Sequence, residues 1–552
     1  MFEIGASKCP PSAKKLRGGY YTPQPLADYL CEWAIRRPDD CVLEPSCGDG
    51  SFIRAAAPRL STSGSITAIE LVAEEIAKAQ RLLADKDPSI EWKCGSFFDF
   101  APQHLQNPSL DAVVGNPPFI RFQHFQKDER ERAFQLLRPF GYNPNGLANA
   151  WSAFVQLSAE MLRDDGRLAM VVPAELLQVQ YAAELRNRIP HLFRETYIVA
   201  FEELVFPEIQ QEILLLLATG RHRYTEHAGN LHTLQVRNGE SLIAAGPFSN
   251  RAATLPTART HDQMKWTSAF LPSEELDVLD DALSSSNLTR LGDWASVDVG
   301  IVTGRNSFFV IDEDNTLESE AGHLMRDIVG RTSALRSIRF TQDDLTNYRK
   351  SHPSKLISLS GVNRPDFPQS LEQYIQSGEA NGVHRGYKCS VRNRWFDVPS
   401  VYTPDAFMYR QIHHAPLLIA NHTAATSTDT VHRVRLAPAR NIEIERLCGS
   451  LVNSVSFASS EVLGRSYGGG ILELEPREAE KLPIPFSENY EVDVDYLDRK
   501  LRAGDLEAAL DHGDDVLLRE GCGLSKTDIG RARSAWQRLR DRRHSRKHRQ
   551  RS

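Results

Sequence analysis

The stretch "LDAVVGNPPFIRF", Leu110 to Phe122, decides how the first half of the chain is read. An apolar run ends at Gly115 and gives way to Asn116-Pro117-Pro118-Phe119. No turn needs this tetrapeptide, so it reads as a working loop at the end of a strand. Working outward, "CVLEP" (Cys41–Pro45), "SITAIE" (Ser65–Glu70) and "IEWKCGSF" are three earlier strands, and "RLAMVVP" and "EILLLLATG" are later ones. Helical patterns separate them: "SFIRAAAPRL", "LVAEEIAKAQRLLA" and "WSAFVQLSAEMLRDDG". In the last, Trp151, Phe154, Val155, Met161 and Leu162 share a face, and Gly166 suits a helix stop. Strands alternating with helices predict an α/β fold with a mostly parallel, Rossmann-like sheet. The continuous run in "EILLLLATG" predicts a strand buried on both faces.

"VLEPSCGDGSF" sets Glu44, Pro45, Ser46, Cys47, Gly48, Asp49 and Gly50 directly after the first strand. Glycines there let the backbone turn tightly against a ligand at the carboxyl edge of the sheet. Glu70 ends the next strand, where doubly wound folds place an acid on ribose hydroxyls. The GxGxxG of a dinucleotide site is absent, and acids in the loop disfavour a pyrophosphate. They suit a cation, as in S-adenosylmethionine, which carries a sulfonium and an ammonium and no phosphate.

Sheet topology puts Asn116 beside that loop. An exocyclic amine such as adenine N6 is a poor nucleophile because its lone pair is delocalised into the ring. Two acceptors aimed at its N–H groups, the Asn116 side-chain carbonyl and the Pro117 backbone carbonyl, draw the nitrogen toward sp³. The prolines hold the loop still, and pre-placed dipoles stabilise the developing positive charge. Phe119 offers a face for a planar base, worth about 1–3 kcal/mol.

With these residues in order, the region resembles the amino-group DNA methyltransferases that carry an [N/D/S]PP[Y/F/W] motif, in the form of the gamma-class N6-adenine enzymes. "GGYYTPQPLADYL", with Thr22 at its turn, looks like the family's N-terminal cofactor-covering motif. "GRLAMVVPAELL" looks like a later strand ending in Pro173, and "FEELVFPEIQQEILLLL" like the segment whose aromatic, here Phe206, packs on a flipped base. The resemblance covers about 15–220. It implies S-adenosylmethionine held by Thr22, Glu44, Pro45, Cys47, Gly48, Glu70, Ser96 and Phe97, and catalysis by Asn116, Pro117, Pro118 and Phe119. One departure stands out: where the family has an acid to hold the cofactor's adenine, "CGSFFDF" has Ser96, and either Ser96 or Asp99 takes that contact.

From about residue 246 Pro, Ser, Thr, Arg and Trp increase and apolar runs shorten. The expected division is a catalytic methyltransferase domain over 1–245, a mixed α/β domain over 246–490 and a helical extension with a basic tail over 491–552. "VDVGIVTGRNSFFVI", "HRGYKCSVRNRWFDVPS", "APLLIANHTAA" and "SYGGGILELEPREAEKLPIPF" look like target-recognition domains of type II modification enzymes. Arg392, Arg394 and Trp395 mix cations with an aromatic, as a groove-reading surface does, and Arg305 and Asn306 suit base edges or phosphates.

Residues 531–552 hold ten Lys/Arg and one acid, whereas the whole chain has a net charge of −7. That tail suits either contact with phosphates or plain solvation. With 41% apolar and 25% charged residues the composition is that of a globular protein. No apolar run is long enough for a membrane span, and no secretion signal is evident. The eight cysteines form no CxxC pair, so neither a metal site nor a disulfide framework is expected and a reducing cytoplasm fits. The expected activity is transfer of a methyl group from S-adenosylmethionine to N6 of an adenine flipped out of double-stranded DNA, by a monomer paired with a separate restriction endonuclease. The rivals are RNA or protein-amide methylation with the same chemistry, N4-cytosine methylation, and an inactive DNA-binding protein. Intact Asn116-Pro117-Pro118-Phe119 and Glu44 argue against the last.

Overall fold

The computed structural model describes residues 21–545 apart from 84–88, 145, 206–211, 259–264, 286, 314–316, 439–441, 468 and 487–490. The chain divides into two compact units, the first through Pro272 and the second from Ser273 to His544. The boundary therefore lies later than 245. The C-terminal helices are not a separate extension, because Lys526–His544 packs on Ser454–Leu463 and Ser273–Ser284 within the second unit.

The first unit is built on a nine-stranded sheet. Its strands are β1 (Cys41–Glu44), β2 (Ser65–Glu70), β3 (Ser89–Cys94), β4 (Leu110–Gly115), β5 (Leu162–Pro173), β6 (Phe193–Phe201), β7 (Ile213–Arg221), β8 (Asn230–Val236) and β9 (Thr257–Ala258), in the order β3-β2-β1-β4-β5-β7-β6-β8-β9. β3 through β5 in that order run parallel, and β7 runs antiparallel to both its neighbours. Every residue of β4 is buried, as a central strand covered on both faces requires. β7 is buried along almost its whole length, as its run of leucines predicts.

One core lies on each face of the sheet. Trp151, Phe154, Phe97 and Phe98 belong to one, and Leu30, Trp33, Phe52 and Ile53 to the other. The helices that cover them are α1 (Gln24–Ala34), α2 (Ser51–Ala56), α3 (Ala73–Arg81), α4 (Phe97–Gln106), α5 (Lys127–Leu137) and α6 (Ala150–Met161). α6 is buried all round rather than on one face. Gly166 does not stop it: the helix ends at Met161, and β5 has already begun at Leu162. The β4–β5 register shifts between Leu110↔Leu162 and Ala112↔Arg167, so Arg163–Gly166 is a bulge. Strand order reverses between β1 and β4, and in such sheets the carboxyl ends of the two strands at that point frame a crevice.

The second unit is mixed α/β. A five-stranded sheet (Ala295–Asp298, Val431–Leu436, Ala406–Tyr409, Leu418–Asn421, Arg339–Phe340) is joined by smaller ones, including Val310–Ile311 with Lys355–Ile357 and Met325–Val329. The basic stretch predicted as a tail is folded as far as His544. Arg533 pairs with Asp514 at 2.8 Å and Arg538 with Glu275 at 3.0 Å. Arg543 is buried against Glu461 at 2.7 Å. Among the described residues, no helix is long and apolar enough to cross a membrane.

Candidate active site

β1 and β4 lie side by side, with Val42 opposite Ala112 and Leu43 opposite Val113. That register brings Glu44 and Gly115 together at the strand ends. Glu44 is only 1% exposed, and a Cβ on Gly115 would stand 2.5 Å from its Oε1. Glycine is therefore required there for the carboxyl group to fit. The Ser46 N–H donates to Glu44 Oε1 at 3.2 Å, and Ser46 Oγ donates to the Asn116 carbonyl at 3.3 Å. The cofactor loop and the Asn-Pro-Pro-Phe loop are thus tied to each other.

Glu70 fixes the far side of the loop. Its Oε2 accepts the Gly48 N–H at 3.0 Å and its Oε1 the Val72 N–H at 2.9 Å. Gly48 has φ +49°, and a Cβ on it would meet the Tyr21 ring at 3.0 Å. Tyr21 lies over the loop and donates its hydroxyl to Glu75 at 2.7 Å. Thr22 and Pro23 then lead into α1, where the Leu26 and Ala27 N–H groups close on the Pro23 carbonyl.

These elements enclose a cavity of about 240 Å³. Thr22, Glu44, Pro45, Cys47, Gly48, Glu70, Ser96, Phe97, Asn116 and Pro118 all line it. The sequence reading therefore brought together residues from four separate strand ends. Ser96 lines the cavity and Asp99 does not; Asp99 is exposed and pairs with Arg132. Pro117 and Phe119 stand outside the lining: Pro117 is buried, and Phe119 is half-buried against both cores. Phe206 lies outside the described residues.

The lining has a definite electrical character. Among the described residues five acids face the cavity, Glu44, Asp49, Glu70, Glu75 and Glu129, and no lysine or arginine does. Burial pushes the Glu44 carboxyl well above its usual range, and Glu70 and Asp49 add to the rise. The Cys47 thiol is pushed up by its own burial and by Glu44 and Glu70. Such a lining repels phosphate and favours a cationic ligand. Thr22 Oγ1 is buried with no hydrogen-bond partner among the described residues, as a group awaiting a ligand would be. Phe97 stacks on Phe154 with centroids 4.7 Å apart, and Phe98 and Phe125 extend that aromatic wall. A lining that combines acids with aromatic faces fits the charged amino acid and the planar adenine of S-adenosylmethionine.

Sequence reasoning missed Phe98, Phe125 and Phe154, which looked like ordinary core. It also missed Asn149, which stands at the cap position of α6 yet makes no cap bond. Its Oδ1 accepts the Phe122 N–H at 2.9 Å, and its Nδ2 donates to Glu175 at 3.1 Å and to the Tyr181 oxygen at 2.7 Å. Tyr181 donates in turn to Glu175 and accepts from Trp151 Nε1 at 3.0 Å. With the Ala150 N–H on the Ile120 carbonyl at 3.0 Å, this network clamps the chain just past Phe119. An asparagine immediately before a helix was the available signal.

In the second unit, Arg392 and Arg394 are committed internally. Arg392 donates to the carbonyls of Val302 and Thr303 at 2.9 and 2.8 Å. Arg394 holds Asp397 at 2.7 Å and the Val362 carbonyl at 2.6 Å. Both arginines therefore brace loops within the unit. Arg305 and Asn306 are exposed; Asn306 Oδ1 accepts from Thr303 Oγ1 at 2.5 Å.

Two family profiles match the chain. The one described as N-6 DNA Methylase matches residues 1–217, and the one described as Type II methyltransferase M.Eco57I, C-terminal domain, matches residues 263–518. Type II methyltransferase M.AccI of Acinetobacter calcoaceticus is 22% identical, with 84% of each chain covered. Type II methyltransferase M.XamI of Xanthomonas campestris pv. amaranthicola is 21% identical, with 86% of each covered. Type II methyltransferase M.TthHB8I of Thermus thermophilus is 26% identical over 32% of this chain and 40% of its own. The two profiles fall on the two units in turn, the first on the sheet that carries the cavity. Residues 1–217 thus belong with the N-6 DNA Methylase domains and residues 263–518 with the C-terminal domains of type II methyltransferases, and S-adenosylmethionine is the cofactor.

Proposed function

We propose that this chain methylates N6 of an adenine flipped out of a short recognition sequence in double-stranded DNA, and so protects that sequence from a separate restriction endonuclease. The observation that carries the reading is the single cavity in which Asn116 and Pro118 stand with Glu44, Glu70 and Thr22. When bound, S-adenosylmethionine supplies an electrophilic methyl group. Thr22, Glu44, Glu70, Ser96 and Phe97 are the residues that hold it, on the buried hydroxyl, the acids and the aromatic face described above. The Asn116 side-chain carbonyl and the Pro117 backbone carbonyl accept the two N–H groups of the target amine, which frees its lone pair and stabilises the charge that develops on nitrogen. Reaching that amine requires extrusion of the base, at a cost of a few kcal/mol. Phe119 and Phe206 are the proposed stacking partners. Sequence choice falls to the second unit.

Single-molecule sequencing of DNA from a methylation-deficient host expressing the chain tests this, beside an Asn116→Ala control. N6-methyladenine in one short motif, absent from the control, is the expected result. N4-methylcytosine instead would refute the adenine assignment. An unmodified genome from folded, cofactor-binding protein would refute the DNA reading and turn attention to RNA or protein amides.

A further inference from the structure

Two segments of the second unit, 299–311 and 380–396, together contain Arg305, Arg385, Lys388, Arg392 and Arg394; acids stand only at their ends, Asp298, Asp312, Glu379 and Asp397, of which Asp397 pairs with Arg394. The chain as a whole is acidic, at −7. Arg392 bridges the two segments through the Val302 and Thr303 carbonyls. Gly304 seals the joint: a Cβ there would meet Lys388 Cβ at 3.0 Å and Cys389 Sγ at 3.1 Å. Behind the joint, Phe308, Phe309 and Trp395 form one aromatic cluster, with Arg392 over the Phe309 ring at 5.6 Å. The outer surface is thus carried on a braced platform.

That outer surface has an unusual composition. Tyr387 is 75% exposed and Val391 64%, and Val302 beside them is exposed as well. Lys388 lies 5.7 Å from the Tyr387 ring. Arg305 and Arg385 are exposed and have no acidic partner among the described residues. Half-buried arginines of this unit such as Arg531 and Arg519 are paired with Glu274 and Asp515. Unpaired cations around a solvent-facing aromatic suit a polyanion that also offers planar, apolar edges.

Resting on the DNA-methyltransferase reading above, we infer that Arg305, Arg385, Tyr387 and Lys388 form a duplex-DNA contact surface, with Arg392 as its internal brace. The three cations take phosphates. Tyr387, flanked by Val391, contacts base edges and contributes to the choice of sequence.

The test is binding by fluorescence anisotropy. One duplex carries the motif found by methylome sequencing and a second lacks it, and each is titrated across a range of salt. Arg385→Ala combined with Lys388→Ala is expected to weaken both duplexes alike and to reduce the log–log salt slope by about 2, near 0.9 per phosphate contact. Tyr387→Ala is expected to weaken the motif duplex by roughly ten-fold and the other much less. S-adenosylmethionine binding, measured by calorimetry, stays unchanged in all variants. These positions are exposed, so the fold survives, which circular dichroism checks. Variants with wild-type affinity and slope, from a wild type that methylates its motif, would overturn this surface and leave the function standing. A wild type that neither binds nor methylates duplex DNA would overturn both.

Discussion

Replacing Asn149 with alanine removes the clamp on the Asn-Pro-Pro-Phe loop, and Asn149 itself does not line the cavity. Three hydrogen bonds disappear: the Phe122 N–H at 2.9 Å, Glu175 at 3.1 Å and Tyr181 at 2.7 Å. Two neutral bonds at about 0.5–1.5 kcal/mol and one to a carboxylate at about 1.5–3 kcal/mol set an upper range near 2.5–6 kcal/mol. Phe122 is half-exposed, so water regains part of that, and a loss of about 2–3 kcal/mol in urea denaturation is expected. The catalytic effect is separate. A loop free to move by a fraction of an ångström misplaces the Asn116 and Pro117 acceptors, and displacements of about 1 Å cost up to 10²-fold in rate. Transfer of labelled methyl groups to motif DNA should show kcat lowered by about 10- to 100-fold, with the KM for S-adenosylmethionine nearly unchanged. Tyr181→Phe keeps the Phe122 bond and should lower kcat much less. Wild-type kcat from folded Asn149→Ala protein would refute the claim that this network positions the loop.

Gly115→Ala drives a methyl group against the buried Glu44 carboxyl, 2.5 Å away; overpacking of this kind costs about 1–3 kcal/mol, and calorimetry should also show weakened cofactor binding. The Glu44 carboxyl, held up by burial, contributes stability below its unfolded pKa that is lost as pH rises through its higher folded pKa. The melting temperature of the cofactor-free protein should therefore fall as pH rises through that range, and Glu44→Gln should flatten the fall; an unchanged slope would mean that Glu44 ionises without cost. Arg543→Met strands Glu461 in the core and should cost about 3–5 kcal/mol. Adding Glu461→Met should recover much of the loss, and failure to recover would mean that Arg543 acts mainly through its carbonyl contacts at Ile412 and His413.

The catalytic unit was largely legible because its signals are local. A glycine loop after a strand, an acid at the next strand's end and Asn-Pro-Pro-Phe after another each state their own position, and parallel pairing of β1 with β4 assembles them. The rest depended on partners distant in sequence. Arg392 and Arg394 announce charge but not the carbonyls of Val302 and Val362 that use it. The arginines at the end of the chain read as a tail because their partners lie outside that stretch, Glu275 and Glu461 far away along the sequence. Gly166 looked like a stop because strand pairing, which begins at Leu162, overrides local propensity. Asn149 stands at a helix cap position, and only the fold reveals that its amide serves the neighbouring loop.

The helix Lys526–His544 bears on the order in which the two units are made. It closes the core of the second unit with Trp536, which is fully buried, and with the Arg543–Glu461 pair. It also lies against Ser273–Ser284, the first helix of the same unit. Contacts between residues so far apart close slowly, since the chain between them must first be synthesised and drawn together. On the ribosome the first unit has its sheet and both cores once Pro272 has emerged. The second unit still lacks its closing helix at that stage. Synthesis therefore delivers a finished catalytic unit well before the unit proposed to choose its target sequence.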